Sequence, residues 1–80
     1  MINTTKREGG QKLLKNRIAE IRNLENITQE ELAKMSNISR VALSSIENGT
    51  VPNGSTMLNI AKALNRKVED IFYDTDVNHT

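Results

Sequence analysis

An 80-residue chain with 11 Lys and Arg, 10 Asp and Glu, one His and no Cys makes one small domain of formal net charge +1. The lack of Cys excludes disulfides and thiolate metal sites, no apolar run approaches the roughly 18 residues of a membrane span, and the polar start "MINTTKREGG" is not a signal peptide. A soluble cytoplasmic protein is therefore expected; charge is unevenly spread, six basic against two acidic side chains in residues 1–24, two against four in 25–49, three against none in 50–67 and none against four in 68–80, which suggests an anionic partner away from the C-terminal end.

Residues 1–10 read as a flexible polar leader, ahead of a folded domain over 11–73 and a polar tail over 74–80. Leu14, Ile18, Ile21 and Leu24 recur at helical spacing, so a first helix is expected from about Gln11 to about Glu25, with Asn26 and Ile27 as a connector. "TQEEL" is a capping box: Thr28 can accept from the amide of Glu31, and Glu31 can reach back to the amide of Thr28. It starts a second, two-turn helix whose apolar face is Leu32, Ala33 and Met35, and Ser36-Asn37 breaks it because Asn tolerates the left-handed conformation. Glu30 and Glu31 satisfy the helix dipole there rather than forming a catalytic pair.

Ser39 is a plausible cap for a third helix. Ile38, Ala42, Leu43 and Ile46 form its inner side, and Gly49 stops it. "TVPNGS" is a loop, and Asn53 or Ser55 caps a fourth helix carrying Met57, Ile60, Ala61 and Leu64 as core positions. Asn65 is a left-handed terminator, and Val68, Ile71 and Phe72 mark a short fifth helix. Nothing reads as a strand. The expected fold is all-α: a compact bundle of four to five short helices containing a helix-turn-helix, because a turn of about three residues after helix two sets its two helices at a steep angle.

From about Leu14 to Phe72 these residues resemble the lambda-repressor/Cro-like regulators of the XRE family. The resemblance rests on Thr28-Gln29-Glu30-Glu31-Leu32-Ala33, Ile38-Ser39, Leu43, Ile46-Glu47-Asn48-Gly49, Pro52 and Ile60-Ala61-Lys62-Ala63-Leu64. It implies that helix two crosses a DNA backbone and helix three enters the major groove. Ser39, Arg40, Val41, Ser44 and Ser45 would then face bases. Arg22, Thr28, Gln29, Asn48, Thr50 and Asn53 would face the backbone. Arg22 would also pair with Glu47, relieving a carboxylate on a helix that faces DNA. The chemistry agrees independently: Arg40 can take a guanine edge with two bonds, Val41 can meet a thymine methyl, and serines specify little.

The chain departs from the family at Asn37 and Asn65, where Gly is usual, at Arg66, where an apolar residue is usual, and at Lys67, which replaces a Ser or Thr cap. Val68, Ile71, Phe72 and Tyr73 are expected partly in the core and partly in a homodimer interface. The resemblance thus implies a dimeric repressor reading an inverted repeat in double-stranded DNA, without a small-molecule ligand; the alternative is a protein-interaction module, antitoxin-like or coactivator-like. Lys6 and Arg7 read as leader rather than as a minor-groove arm. The single His79 supports neither a catalytic triad nor a metal site, so no enzyme activity and no cofactor are expected.

Overall fold

The computed structural model describes residues 12–76. The element order is β1 (Lys12–Asn16), α1 (Ile18–Leu24), α2 (Gln29–Met35), α3 (Arg40–Glu47), α4 (Gly54–Leu64), α5 (Val68–Ile71) and β2 (Phe72–Asp76). Five helices surround a core of Ile18, Ile21, Leu32, Leu43, Ile60, Leu64, Ile71 and Phe72, with Ala33, Ile46 and Ala61 also buried. No helix among the described residues is long and apolar enough to cross a membrane. The leader, with Lys6 and Arg7, and His79 lie outside the described residues.

Two sequence expectations are corrected. The chain does contain strands: β1 and β2 pair antiparallel, Lys12 opposite Asp76 through Asn16 opposite Phe72. The first helix therefore begins at Ile18, and β2 runs through residues 74–76 that read as tail. Leu14 is i−4 from Ile18 and so mimics a helical stripe, yet in β1 it packs against the core equally well. Tertiary pairing with β2 decides between the two: the ladder is extended by the Arg17 amide, which donates to the Ile71 carbonyl at 2.9 Å, while the Ile18 amide donates to Asn16 Oδ1 at 3.1 Å and so marks the start of α1. Leu24 and Met35, expected on apolar faces, are 72% and 54% exposed, because each sits in the last turn of its helix beyond the reach of the core.

Among the described residues four helices end alike. Asn26, Asn37, Gly49 and Asn65 take positive φ, and the next amide reaches back five residues: Ile27 to Arg22, Ile38 to Ala33, Thr50 to Ser45 and Arg66 to Ala61. This Schellman arrangement pairs carbonyls that a helix end would otherwise leave bare. It shows why Asn suffices at 37 and 65: its short polar side chain tolerates the left-handed region. Asn53, not Ser55, caps α4, its Oδ1 accepting from the Thr56 amide at 2.8 Å. Arg66, in the place of an apolar residue, sits half-buried with Nη1 3.1 Å from Glu25 Oε2, which ties the end of α4 to the end of α1. Lys67 gives α5 no side-chain cap, and the acidic Glu69 and Asp70 in its first turn complement the bare amides instead.

Candidate nucleic-acid interface

The tight bend sets the starts of α2 and α3 side by side. The capping box at α2 is complete: the Glu31 amide donates to Thr28 Oγ1 at 3.0 Å and the Thr28 amide to Glu31 Oε1 at 2.9 Å. At α3 the Ala42 amide donates to Ser39 Oγ at 3.0 Å. These caps fix where each helix begins, and so where the side chains of the first turn point. Leu43 and Ile46 anchor α3 in the core. Its opposite side presents Ser39, Arg40, Val41 and Ser45 to solvent, with Ser44 half-buried beside them. Val41 is 68% exposed, an apolar side chain held in water on a helix that has a core face to offer it.

Behind that surface lies a continuous polar chain. Arg22 Nε donates to Glu47 Oε2 at 2.9 Å and Nη2 to Oε1 at 3.2 Å, so the guanidinium grips the carboxylate with two bonds. Arg22 Nη1 also donates to the Ile27 carbonyl at 3.2 Å. Both side chains are largely buried, at 15% and 9% exposed, where a fork-to-fork pair with extra hydrogen bonds offsets much of the desolvation. The remaining capacity of Glu47 Oε1 goes to Gln29 Nε2 at 3.0 Å. Gln29 Oε1 in turn accepts from Arg40 Nη1 at 3.4 Å. The negative charge at the end of α3 is thereby enclosed by donors instead of facing outward.

The other expected residues fall into two groups. Thr28, Asn48, Thr50 and Asn53 are exposed at the helix ends and the loop that border α2 and α3, while Gln29 is half-buried. Of the set assigned to a dimer interface, Ile71 and Phe72 are buried in the core of the chain itself, 0% and 6% exposed, so they hold the monomer together and offer no free surface. Val68 and Tyr73 are half-buried, and the Arg17 guanidinium lies 4.4 Å from the centre of the Tyr73 ring.

One residue that braces α3 escaped sequence reasoning. Asn16 Nδ2 donates to the Ile46 carbonyl at 2.9 Å and so clamps the base of the ribbon to the last turn of α3. Its signal in the sequence, a polar Asn between Leu14 and Ile18 of the apolar stripe, is indistinguishable from a residue within the helix expected there.

Comparison with known proteins gives a consistent set of likenesses. The helix-turn-helix family matches residues 18–71. An uncharacterized HTH-type transcriptional regulator of Methanocaldococcus jannaschii is 42% identical over 65 residues, which cover 79% of this chain and 98% of that protein. A second from Archaeoglobus fulgidus is 40% identical over 60 residues, 74% of this chain and 84% of that protein. Among solved structures, the P22 c2 repressor bound to the synthetic operator 9T superposes with a TM-score of 0.64 at 39% identity, over 66% of this chain and 82% of that one. The solution structure of its DNA-binding domain gives 0.63 at the same identity, over 66% and 71%.

Proposed function

The chain belongs to the helix-turn-helix family of transcriptional regulators, with a lambda-repressor-like fold, and on that premise we propose that it is a dimeric repressor that reads an inverted-repeat operator in cytoplasmic DNA. The observation that carries this reading is the outer face of α3. Arg40 and Val41 stand exposed in its first turn, on a helix start fixed by the Ser39 cap, and the one acidic side chain on that helix is turned inward onto Arg22 and Gln29. Arg40 supplies donors for a guanine edge and Val41 an apolar contact for a thymine methyl. Ser39, Ser44 and Ser45 fill the remaining base-facing surface. Thr28, Gln29, Asn48, Thr50 and Asn53 meet phosphates, and Arg22 contributes from behind with the N–H groups that Glu47 and Ile27 leave open.

Dimerisation through the surface around α5 follows from the size of the reader: one α3 spans too few base pairs for much specificity, and two related by a dyad read two half-sites. On this face Leu58, 57% exposed, and the half-buried Val68 border an open groove whose other walls carry charges of both signs, Lys62, Arg66 and Lys67 against Glu69 and Asp70.

The test is selection of binding sites from random double-stranded DNA. An inverted repeat should be enriched, and Arg40→Ala should relax the choice at one base pair in each half-site by about 1–3 kcal/mol. Absence of any enriched sequence would sink the reading. The alternative, a module that grips another protein, rests on the exposed Leu24 and Met35, and gains if neither Arg40→Ala nor Gln29→Ala alters DNA affinity.

A further inference from the structure

We propose that the groove between α4 and α5 selects a second copy of this chain by charge: the basic side of one protomer's groove lies against the acidic side of its partner's, around a dyad that runs along the groove. This selection rests on the dimer proposed above. It adds the orientation of the pair and a means of refusing other chains of the same fold.

The groove holds charges that the chain itself leaves unsatisfied. Leu58 and Lys62 stand one turn apart on α4, Lys67 ends the connector that leaves it, and Val68, Glu69 and Asp70 open α5. Lys62, Lys67, Glu69 and Asp70 are exposed, and among the described residues none of their side chains has a hydrogen-bond or ion-pair partner. Arg66 borders the same groove but is committed to Glu25. Two unpaired charges of each sign therefore surround one opening. They are sorted by element, basic on α4 and its connector and acidic on α5.

The apolar surface on offer is small: Leu58, 57% exposed, and the half-buried Val68. Two such side chains favour contact without dictating how two copies are turned. Charge dictates it. A twofold axis lying in the interface turns one surface over onto the other. If the axis runs along the groove, α4 of each protomer faces α5 of its partner, and Lys62 and Lys67 meet Glu69 and Asp70. If it runs across the groove, α4 faces α4 and like charges meet. The first arrangement is isologous, so every pairing occurs twice and the dimer closes on itself. Opposite charges steer the encounter, and like charges brought together penalise a chain whose groove carries another order of signs.

The experiment is sedimentation equilibrium of the full chain without DNA. Lys62→Glu with Lys67→Glu makes the groove wholly acidic, and Glu69→Lys with Asp70→Lys makes it wholly basic. Each pair of changes should weaken self-association roughly tenfold, and an equimolar mixture of the two variants should associate at least as tightly as the parent. All four changes in one chain should restore a homodimer that does not mix with the parent; a dyad across the groove would give the opposite result, strong mixing. Raising NaCl from about 0.1 M to about 1 M should weaken the parent dimer and strengthen that of the acidic variant, because screening removes attraction in one and repulsion in the other. This salt contrast decides the matter if the lysine changes unfold α5, whose first turn Glu69 and Asp70 occupy. Unchanged self-association in a folded variant, a mixture no tighter than its components, or the same salt response in parent and acidic variant would overturn the charge pairing and leave the dimer standing. A parent that stays monomeric at high micromolar concentration, both free and with duplex DNA, would overturn the dimer and the pairing together.

Discussion

The bend formed by α2 and α3 and the ribbon formed by β1 and β2 sit at the two ends of a single physical contrast. At the bend, side chains do the fixing: two caps, a Schellman turn and the path from Arg22 through Glu47 and Gln29 to Arg40. In the ribbon the main chain does it, through a ladder five residues long, with Phe72 buried at its base and Asn16 reaching across to α3. A two-stranded ribbon is marginal in isolation, so this one depends on the core it leans against. The bend has a charge network that a single substitution can undo. The ribbon has few such points, and its ladder tolerates most side chains.

Breaking this contrast starts with the largest effect. Glu47→Gln leaves Arg22 largely buried without its counter-charge and should destabilise the protein by about 3 kcal/mol, at the low end for broken buried pairs because both groups keep some exposure. Thermal or urea denaturation reads this directly, and an unchanged midpoint would show that the network does not hold the bend. Thr28→Ala should cost about 1 kcal/mol by opening the capping box. Asn16→Ala should cost roughly 0.5–1.5 kcal/mol, since the Ile46 carbonyl still accepts from the Gly49 amide. In that variant, hydrogen exchange of ribbon amides should speed up more than exchange of α3 amides near Leu43. Equal acceleration in both would mean that ribbon and bend open as one unit. The smallest effect is a gain: Asn37→Gly should stabilise by about 0.3 kcal/mol, because the residue holds a φ of 61° that Gly adopts freely. A loss there would show that the Asn side chain contributes something beyond tolerance of the turn.

The same contrast explains what could be read in advance. The starts of α2 and α3 were legible because caps are local: Thr28 with Glu31 and Ser39 with Ala42 act within three residues, whereas for α4 the sequence offered both Asn53 and Ser55 and the Asn53–Thr56 bond decides. The left-handed turns at Asn37 and Asn65 were legible for the same reason. The ribbon was not. Its strands lie at opposite ends of the described chain, and nothing in "KLLKN" separates a strand from the first turns of a helix until β2 is present to pair with it. Burial of Ile71 and Phe72 was hidden similarly, since an apolar cluster reads alike whether it faces its own core or another subunit. For Gln29, residue type and position indicated polar contact, but the direction of its amide depends on Glu47, eighteen positions away.

Because Lys12 lies opposite Asp76, the described backbone is topologically a ring left open at the tip of the ribbon. A short covalent link across that tip would hardly move the native chain, while it would remove many conformations open to the unfolded one. Such a cyclised protein would resist unfolding without any new contact, and the link would lie four residues along the strand from the Asn16 clamp on α3.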